Sequence, residues 1–220
     1  MFGKLEVSRS YKDGFSVEKK RGYYLYRRGD KRVKLVAKKI ELEVRPMPPI
    51  NLPEKITDFF LVNYPKLHIA PGERIVVFLK VPIEVGVFFG GEPVDIFGHC
   101  KEEFSIYGPV DGGTLARRID GGVVEEPVKW DGKSMIIPLR IKNYTGELKG
   151  ASKLLLNGSY LDIYYGKKEV ATEMVKLDIR KVASPRVRYL NKSYFKGLTR
   201  VRAKGQIFKK EETIEMGWGV

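Results

Sequence analysis

The run Ile-Val-Val-Phe-Leu-Lys-Val-Pro-Ile-Glu-Val-Gly-Val-Phe-Phe at residues 75–89 is the most apolar and most β-branched stretch of the chain. Val, Ile and Phe concentrated in a short run favour a strand over a helix. Pro82 cannot donate a ladder hydrogen bond, and Gly86 weakens a strand. We therefore predict two strands, 74–81 and 83–89, with a kink or bulge at Pro82. The run is too short and too interrupted for a membrane-spanning helix, which needs about 20 mostly apolar residues.

Short strands separated by turn residues recur along the rest of the chain, at intervals of about 8 to 12 residues. The clearest hairpin runs up through 23–26, turns at 28–31 and returns through 32–37, and no window shows a long apolar run at helical spacing. This pattern predicts an all-β protein of antiparallel β-sandwich architecture with little helix. About fifteen strands exceed one typical sandwich. We therefore expect either two sandwich-like domains, 1–128 and 129–220, or a single domain.

The composition is strongly basic. The 220 residues include 41 Lys and Arg against 27 Asp and Glu, which gives a formal net charge of +14. One glutamine and one cysteine, Cys100, accompany this high charged fraction, a combination typical of hyperthermophile proteins. A single cysteine excludes an internal disulfide. The first 20 residues have no apolar core for a signal peptide, so we expect a cytoplasmic protein with no transmembrane segment.

The excess positive charge is concentrated in two segments. Residues 19–39 hold ten Lys or Arg and one acid, and residues 180–210 hold eleven Lys or Arg and no acid. Clustered charge of one sign attracts polyanions such as nucleic acid when the fold presents it on a surface. The sequence leaves open whether the two segments form one basic face.

The C-terminal basic segment is the first candidate binding site. Arg200, Arg202 and Lys204 alternate with apolar residues, so on a strand they share one face, and Arg186 and Arg188 do the same. Aromatic residues between these cations can stack on bases while the cations bind phosphates. The candidates are Arg186, Arg188, Tyr189, Tyr194, Arg200, Arg202 and Lys204. The alternative is a solvated outer face with the aromatic residues turned into the core.

The N-terminal hairpin is the second candidate. Its cations are Arg27, Arg28, Arg32 and Lys34. Arg32 and Lys34 share one face of the returning strand, and Tyr24 and Tyr26 can lie on the same face as the cations. The alternative is an exposed charged hairpin without a binding role, in which Arg28 begins the turn.

Glu84 lies between apolar residues of the central run. A buried carboxylate needs a partner. We expect a structural ion pair with Arg117 or Arg118.

Asp95, His99 and Cys100 form the only cluster of metal-ligand residue types. Adjacent residues on a strand point to opposite faces, so His99 and Cys100 do not converge on one ion and we predict no metal site. The sequence has no phosphate-loop pattern and no nucleophile motif. We therefore predict no cofactor, no catalytic residues and no enzymatic activity.

Several motifs together resemble an uncharacterised archaeal family, known only as a domain of unknown function. They are Pro82-Ile83-Glu84-Val85-Gly86-Val87, Phe104-Ser105-Ile106-Tyr107-Gly108, Gly112-Gly113-Thr114-Leu115-Ala116-Arg117-Arg118 and Glu215-Met216-Gly217-Trp218-Gly219. The resemblance covers nearly the whole chain. It implies an archaeal, cytosolic protein with no assigned activity, and it supplies no catalytic residues.

Three functions follow from these observations. The first is a non-enzymatic interaction or assembly module that binds a protein partner or forms a homo-oligomer, an expectation that rests on analogy with other β-sandwich modules. The second is sequence-independent binding of nucleic acid or another polyanion through 19–39 and 180–210. The third, less favoured, is a carboxylate-based hydrolase, which needs two facing acids in a cleft.

Overall fold

The computed structural model describes residues 2–7, 9–11, 14–109, 111–126, 130–180, 185–203 and 214–215, and at 9, 214 and 215 it describes the backbone alone. In these residues it contains twenty strands and no helix. The fold is therefore all-β and sandwich-like, which confirms the predicted class. No helix in this part of the chain is long and apolar enough to span a membrane.

The chain forms two compact units, and each is discontinuous in sequence. The small unit comprises Met1–Arg45 and Val85–Phe97, and the large unit comprises Pro46–Glu84 and Gly98–Val220. This division differs from the predicted 1–128 and 129–220, because strands on both sides of residue 128 pair with each other in the large unit.

The small unit contains two four-stranded sheets. The first, which we call the hairpin sheet, has the order β2 (Arg9–Ser10), β3 (Phe15–Lys20), β4 (Tyr23–Arg28) and β5 (Lys31–Leu35). The second has the order β1 (Gly3–Lys4), β6 (Leu42–Met47), β9 (Glu84–Phe89) and β10 (Glu92–Gly98). Phe15, Val17 and Tyr26 of the hairpin sheet are buried, as are Val44 and Val87 of the second sheet.

The large unit also contains two sheets. One has the order β11 (Phe104–Tyr107), β12 (Thr114–Asp120), β7 (Phe59–Ile69) and β15 (Lys149–Asn157). The other, which we call the large sheet, has the order β13 (Gly122–Val124), β8 (Arg74–Pro82), β14 (Ser134–Asn143), β17 (Val170–Ile179), β16 (Ile163–Tyr165) and β19 (Thr199–Val201). The two remaining strands extend it, since β18 (Arg186–Ser193) pairs with β17 and β20 (Ile214–Glu215) pairs with β18.

Most strand pairs in the described residues are antiparallel, as predicted, but two of them are parallel. They are β7 with β12 and β14 with β17. In both cases many residues separate the paired strands in sequence, which gives the chain room for the crossover that a parallel pair requires.

Alternation along the strands gives the large sheet an inner and an outer face. Leu79, Ile137, Leu139 and Leu177 point inward and are fully buried. Tyr189 of β18 joins this face to the opposing sheet, because its hydroxyl accepts a hydrogen bond of 2.7 Å from the backbone N–H of Asn157. The outer face, formed by the alternate residues, carries the charged side chains considered below.

The central run forms two strands that separate at Ile83, one residue after the predicted kink. β8 enters the large sheet and β9 enters the second sheet of the small unit. Turns lie on either side of this run, at Pro71-Gly72 and Gly90-Gly91. Gly90 and Gly91 both have positive φ, of 58° and 90°, a conformation that glycine adopts without steric cost.

Candidate functional site

Two transverse rows of side chains cross the outer face of the large sheet. Residues that are direct partners in the ladder share a face, so the strand register defines each row. The first row is Val76, Arg140, Lys176 and Arg188, and the second is Arg74, Lys142, Asp178 and Arg186. Six of these eight positions on β8, β14, β17 and β18 are cations and one is a carboxylate. Glu215 of β20 stands opposite Arg186 in the ladder.

Asp178 holds two of the six cations. Its carboxylate is buried at the base of the rows, with its Oδ1 3.1 Å from Lys176 Nζ and its Oδ2 accepting a hydrogen bond of 2.8 Å from Arg188 Nη2. The side chains of Lys176 and Arg188 are 16% and 28% exposed, so both still reach solvent. One buried charge thus fixes two cations at the surface.

Other cations on the outer face have no such compensation. Within the described residues, no carboxylate oxygen lies within 4 Å of the side-chain nitrogens of Arg74, Arg140 or Lys142. Lys80, further along β8, pairs with Asp131 at 2.9 Å. The surplus positive charge therefore lies in the two rows.

Tyr144 stands immediately after β14, beside the rows, and is 47% exposed. Its backbone N–H donates a hydrogen bond of 2.8 Å to the carbonyl of Ile179, which places the ring among three cations. Lys142, Lys176 and Arg180 lie 4.8, 5.8 and 5.4 Å from the ring centroid. A half-exposed aromatic ring is thus surrounded by positive charge, within the range of cation–π attraction.

A second aromatic group lies on the outer face, on the side of the rows away from Tyr144. Phe78 of β8 contacts Tyr194 edge-on at 5.1 Å between ring centroids, and Tyr194 contacts Phe195 at 5.3 Å. Phe195 and Val124 cover a small buried cluster that includes Phe78. Tyr194 itself remains 47% exposed.

The structure distributes the candidates from 180–210 differently from the sequence interpretation. Arg186, Arg188 and Tyr194 lie on the outer face, but Tyr189 is buried on the inner face. Arg200 lies on β19 and donates a hydrogen bond of 2.6 Å from Nε to the buried Asp162. Because β19 ends at Val201, Arg202 does not extend a strand face shared with Arg200. Lys204 lies outside the described residues.

The hairpin sheet has a charged front face and a buried back face. Arg27, Arg32 and Lys34 lie on the front and are exposed, and Tyr23 shares that face with Lys34 Nζ 5.5 Å from its ring centroid. Tyr24 and Tyr26 share a face with Arg28 and not with these three cations. The ladder register places Tyr24 opposite Lys19 and Tyr26 opposite Val17, on the back face. Both tyrosines are buried there.

Arg28 also points to the back of the hairpin sheet, where it meets Asp95 of β10. Arg28 Nε and Lys31 Nζ contact the two carboxylate oxygens of Asp95 at 2.5 and 2.7 Å, and the Tyr26 hydroxyl donates a third hydrogen bond of 2.7 Å. Burial alone would raise the pKa of Asp95, but the hydrogen bonds from Arg28, Lys31 and Tyr26 outweigh it, and the pKa lies below its usual value. This network is structural, and it keeps one positive charge in excess because two cations share one carboxylate.

Glu84 and Arg117 are brought together in the large unit. Arg117 Nη1 lies 3.1 Å from Glu84 Oε1, and both side chains are almost completely buried, at 1% and 0% exposure. The backbone N–H groups of Asn51 and Leu52 also donate to the carboxylate. Burial raises the pKa of Glu84, against the opposing effects of Asn51, Leu52 and Arg117. Arg118 points away and lies near Glu103 and Asp120.

The residues with metal-ligand chemistry do not converge. In the part of the chain that the structure describes, no group of three or more His, Cys, Asp or Glu is placed to hold a metal ion. Asp95 belongs to the small unit, whereas His99 and Cys100 belong to the large unit. Burial raises the pKa of the Cys100 thiol to about 12, with a further contribution from the Glu84 charge.

Sequence reasoning missed the cations that complete the outer face. They are Arg74, Arg140, Lys142 and Lys176, together with Tyr144; Arg180 lies in the basic segment 180–210 but is not among its named candidates. The alternation of Arg140 with Lys142 along β14 is visible in the sequence. The parallel register between β14 and β17, which aligns these cations with Lys176 and Asp178, is not.

Comparison with known proteins gives one match. A family model described as "Protein of unknown function (DUF432)" matches residues 1–216. No curated protein and no solved structure matches the chain significantly.

Proposed function

Because this chain belongs to the DUF432 family, whose description gives no function, we propose from its own surface that it binds single-stranded nucleic acid without sequence specificity. The binding surface is the outer face of the large sheet. Its cations contact the phosphate backbone, and its exposed aromatic rings contact the bases. Three features support this proposal.

The first and most important feature is the row Arg140, Lys176 and Arg188. These like charges stand directly opposite one another on three adjacent strands. Directly opposed like charges destabilise a sheet, and Arg140 has no carboxylate oxygen within 4 Å among the described residues. An anionic backbone that lies across the strands relieves the repulsion, because each phosphate neutralises a cation and releases counterions.

The second feature is the size of the surface. Neighbouring strands lie about 4.8 Å apart, so a row across four strands spans about 14 Å. One strand of a stacked, B-form helix carries one phosphate per roughly 3.4 Å of helix axis, so the rows match about four nucleotides at that spacing and fewer nucleotides of an extended strand. This is within the range of roughly 4 to 16 nucleotides that a single-strand-binding domain occupies.

The third feature is the pair of exposed tyrosines, Tyr144 and Tyr194, on either side of the rows. Stacking of a base on an aromatic side chain is tolerant of sequence and requires unpaired bases. We therefore expect single strands to bind more tightly than duplexes.

Assembly through a sheet edge is the second candidate function, and one observation favours it. Ile106 of the edge strand β11 is 66% exposed, and Leu115 opposite it on β12 is 41% exposed. An exposed apolar edge strand can pair with another chain. This patch is small compared with the basic face, so assembly ranks second.

The hydrolase hypothesis gains no support from Glu84 or Asp95. Glu84 and Asp95 are both buried and held by cations, so neither lines a cleft opposite another acid. A cytoplasmic location and a thermophilic, archaeal origin remain predictions from composition and family resemblance. All three fit an intracellular nucleic-acid-binding protein.

The test is a binding titration with fluorescein-labelled (dT)30 over a salt series from 50 to 500 mM. We compare the wild type with R140Q/K142Q/R186Q, in which glutamine keeps much of each aliphatic stem. The matched control, K66Q/K167Q/K168Q, removes three exposed cations of the large unit that lie outside the rows.

We expect wild-type affinity to fall steeply with salt. In single strands each phosphate contact contributes about 0.7 to the logarithmic salt slope, so the row variant loses about 2 from the slope and the control loses little. Equal losses of salt slope in the row variant and the control would refute the assignment to the outer face. Failure of the wild type to bind at 50 mM salt would refute the function.

A further inference from the structure

We propose that the front face of the hairpin sheet is a second surface that binds the phosphates of single-stranded nucleic acid. The inference rests on the proposed function and extends it to the small unit. Each surface binds phosphates on its own, so the removal of either one lowers the salt dependence of binding.

The ladder register places the front-face cations against each other. Arg27 of β4 stands directly opposite Arg32 of β5, and Leu25 stands opposite Lys34. The opposed arginines repeat, in the small unit, the like-charge arrangement of the large sheet. Such a pair destabilises an antiparallel ladder unless an anion lies between the two charges.

No acid compensates this pair in the described part of the small unit. Neither Arg27 nor Arg32 has a carboxylate oxygen within 4 Å there. Glu18 of β3 is on the same face, but its ion pair, at 2.8 Å, is with Lys20. The pKa of Glu18 lies below its usual value through Lys20 first and the more distant charge of Arg27 second.

The back of the same hairpin carries two cations that share one buried carboxylate. Arg28 and Lys31, on the back face, are both paired with the buried Asp95. Arg27, Arg32 and Lys34 on the front face differ because none of them has a carboxylate partner among the described residues. This contrast within one hairpin points to a ligand for the front face, and the ligand must be anionic.

An aromatic side chain accompanies the front cations. Tyr23 is partly exposed beside Lys34, whose ammonium lies 5.5 Å from the ring centroid. Arginines that bind phosphates beside a ring that stacks on a base form the pattern of a single-strand surface. Guanidinium groups also bind phosphates in bidentate geometry, which favours a nucleic-acid backbone over a diffuse anion.

The test compares three variants with the wild type, all with fluorescein-labelled (dT)30 over the salt series. R27Q/R32Q/K34Q removes the front cations, and R27K/R32K keeps the charge of both arginines. The control, K4Q/K19Q/K39Q, removes three exposed cations of the small unit; of these, Lys19 lies on the back face. Thermal unfolding followed by circular dichroism checks that each variant is folded.

We expect R27Q/R32Q/K34Q to lower the salt slope by about 2 and to weaken binding about tenfold or more near 150 mM salt. We expect the control and R27K/R32K to keep most of the slope. If the wild type binds and the front variant matches the control, the second surface is refuted while the large-sheet surface stands. If the wild type does not bind (dT)30 at any salt concentration, both proposals are refuted.

Discussion

Lys176 and Arg188 stand directly opposite each other on adjacent strands of the large sheet, and both contact the buried carboxylate of Asp178. The pair would repel if it were alone on the sheet. Asp178 instead holds both cations at the surface in fixed positions. One carboxylate against two cations leaves the triad a net positive charge, so it suits a surface that binds phosphates.

The first prediction concerns Asp178. Asp178→Asn removes the only carboxylate at the described positions of the two rows, so the outer face gains net positive charge. We expect the free energy of unfolding to fall by about 2 kcal/mol, as for a lost hydrogen bond to a charged group, and (dT)30 affinity to rise a few-fold. Urea denaturation and anisotropy titration measure the two effects.

Asp162→Asn is the matched control for that prediction. Asp162 is also buried and also holds an arginine, Arg200, but it lies outside the rows. It should lose stability without gaining affinity. Weaker binding by Asp178→Asn would contradict the role given to the rows.

The second prediction concerns Tyr144. Tyr144→Ala removes the exposed ring beside Lys142, Lys176 and Arg180. We expect a loss of about 1–3 kcal/mol in binding to (dT)30 and a smaller loss with a 30-base-pair duplex, since paired bases do not stack on the ring. Tyr144→Phe keeps the ring and should bind like the wild type. An equal loss for both ligands would show that the ring does not stack on bases.

The third prediction concerns the pH dependence of stability. The pKa of Asp95 in the folded protein lies below its usual value, whereas in the unfolded chain it is about 3.9. The carboxylate therefore stabilises the fold above about pH 4, and this contribution is lost as the pH falls through the folded-state pKa.

Asp95→Asn should accordingly lower the free energy of unfolding at pH 7, by on the order of 3 kcal/mol. The difference from the wild type should shrink as the pH is lowered from 5 to 3. Urea denaturation at several pH values, followed by circular dichroism, measures it. A difference that stays constant between pH 7 and pH 3 would rule out the ionised carboxylate as its source.

The fourth prediction concerns Cys100. With a thiol pKa of about 12, the reactive thiolate fraction at pH 8 is roughly a thousandfold below that of a free cysteine, whose pKa is about 8.5. We expect iodoacetamide to alkylate the folded protein about a thousandfold more slowly than the protein in 6 M guanidinium chloride. Mass spectrometry follows the reaction. Equal rates would show that the thiol is not buried in the folded protein.

The fold class followed from local pattern, and the sheet assignment did not. The apolar run at 75–89 and its interruption at Pro82 predict both β8 and β9. Nothing local in that run shows that the two strands enter different sheets and different units. Strand partners depend on contacts between distant residues, and the parallel pair of β14 with β17 joins strands with two others between them in sequence.

Only part of the candidate site could be predicted from the sequence, because strands that are distant in sequence also contribute to it. Charge density found Arg186 and Arg188, because they lie in a segment without acids. Arg140 and Lys142 lie in a segment of ordinary charge, and only the ladder register aligns them with Lys176. Charge density also selected Arg200, although Asp162 neutralises its charge. A buried acid that is distant in sequence cannot be recognised from composition.

The most direct test of the central claim is acetylation footprinting of the lysines, with and without saturating (dT)30, read by mass spectrometry. Lys142 lies in the second row, and Lys66, Lys167 and Lys168 lie outside the rows. We predict that (dT)30 slows the acetylation of Lys142 several-fold and leaves the other three unchanged. Acetylation of Lys142 at the same rate in the saturated complex would contradict binding at the outer face of the large sheet.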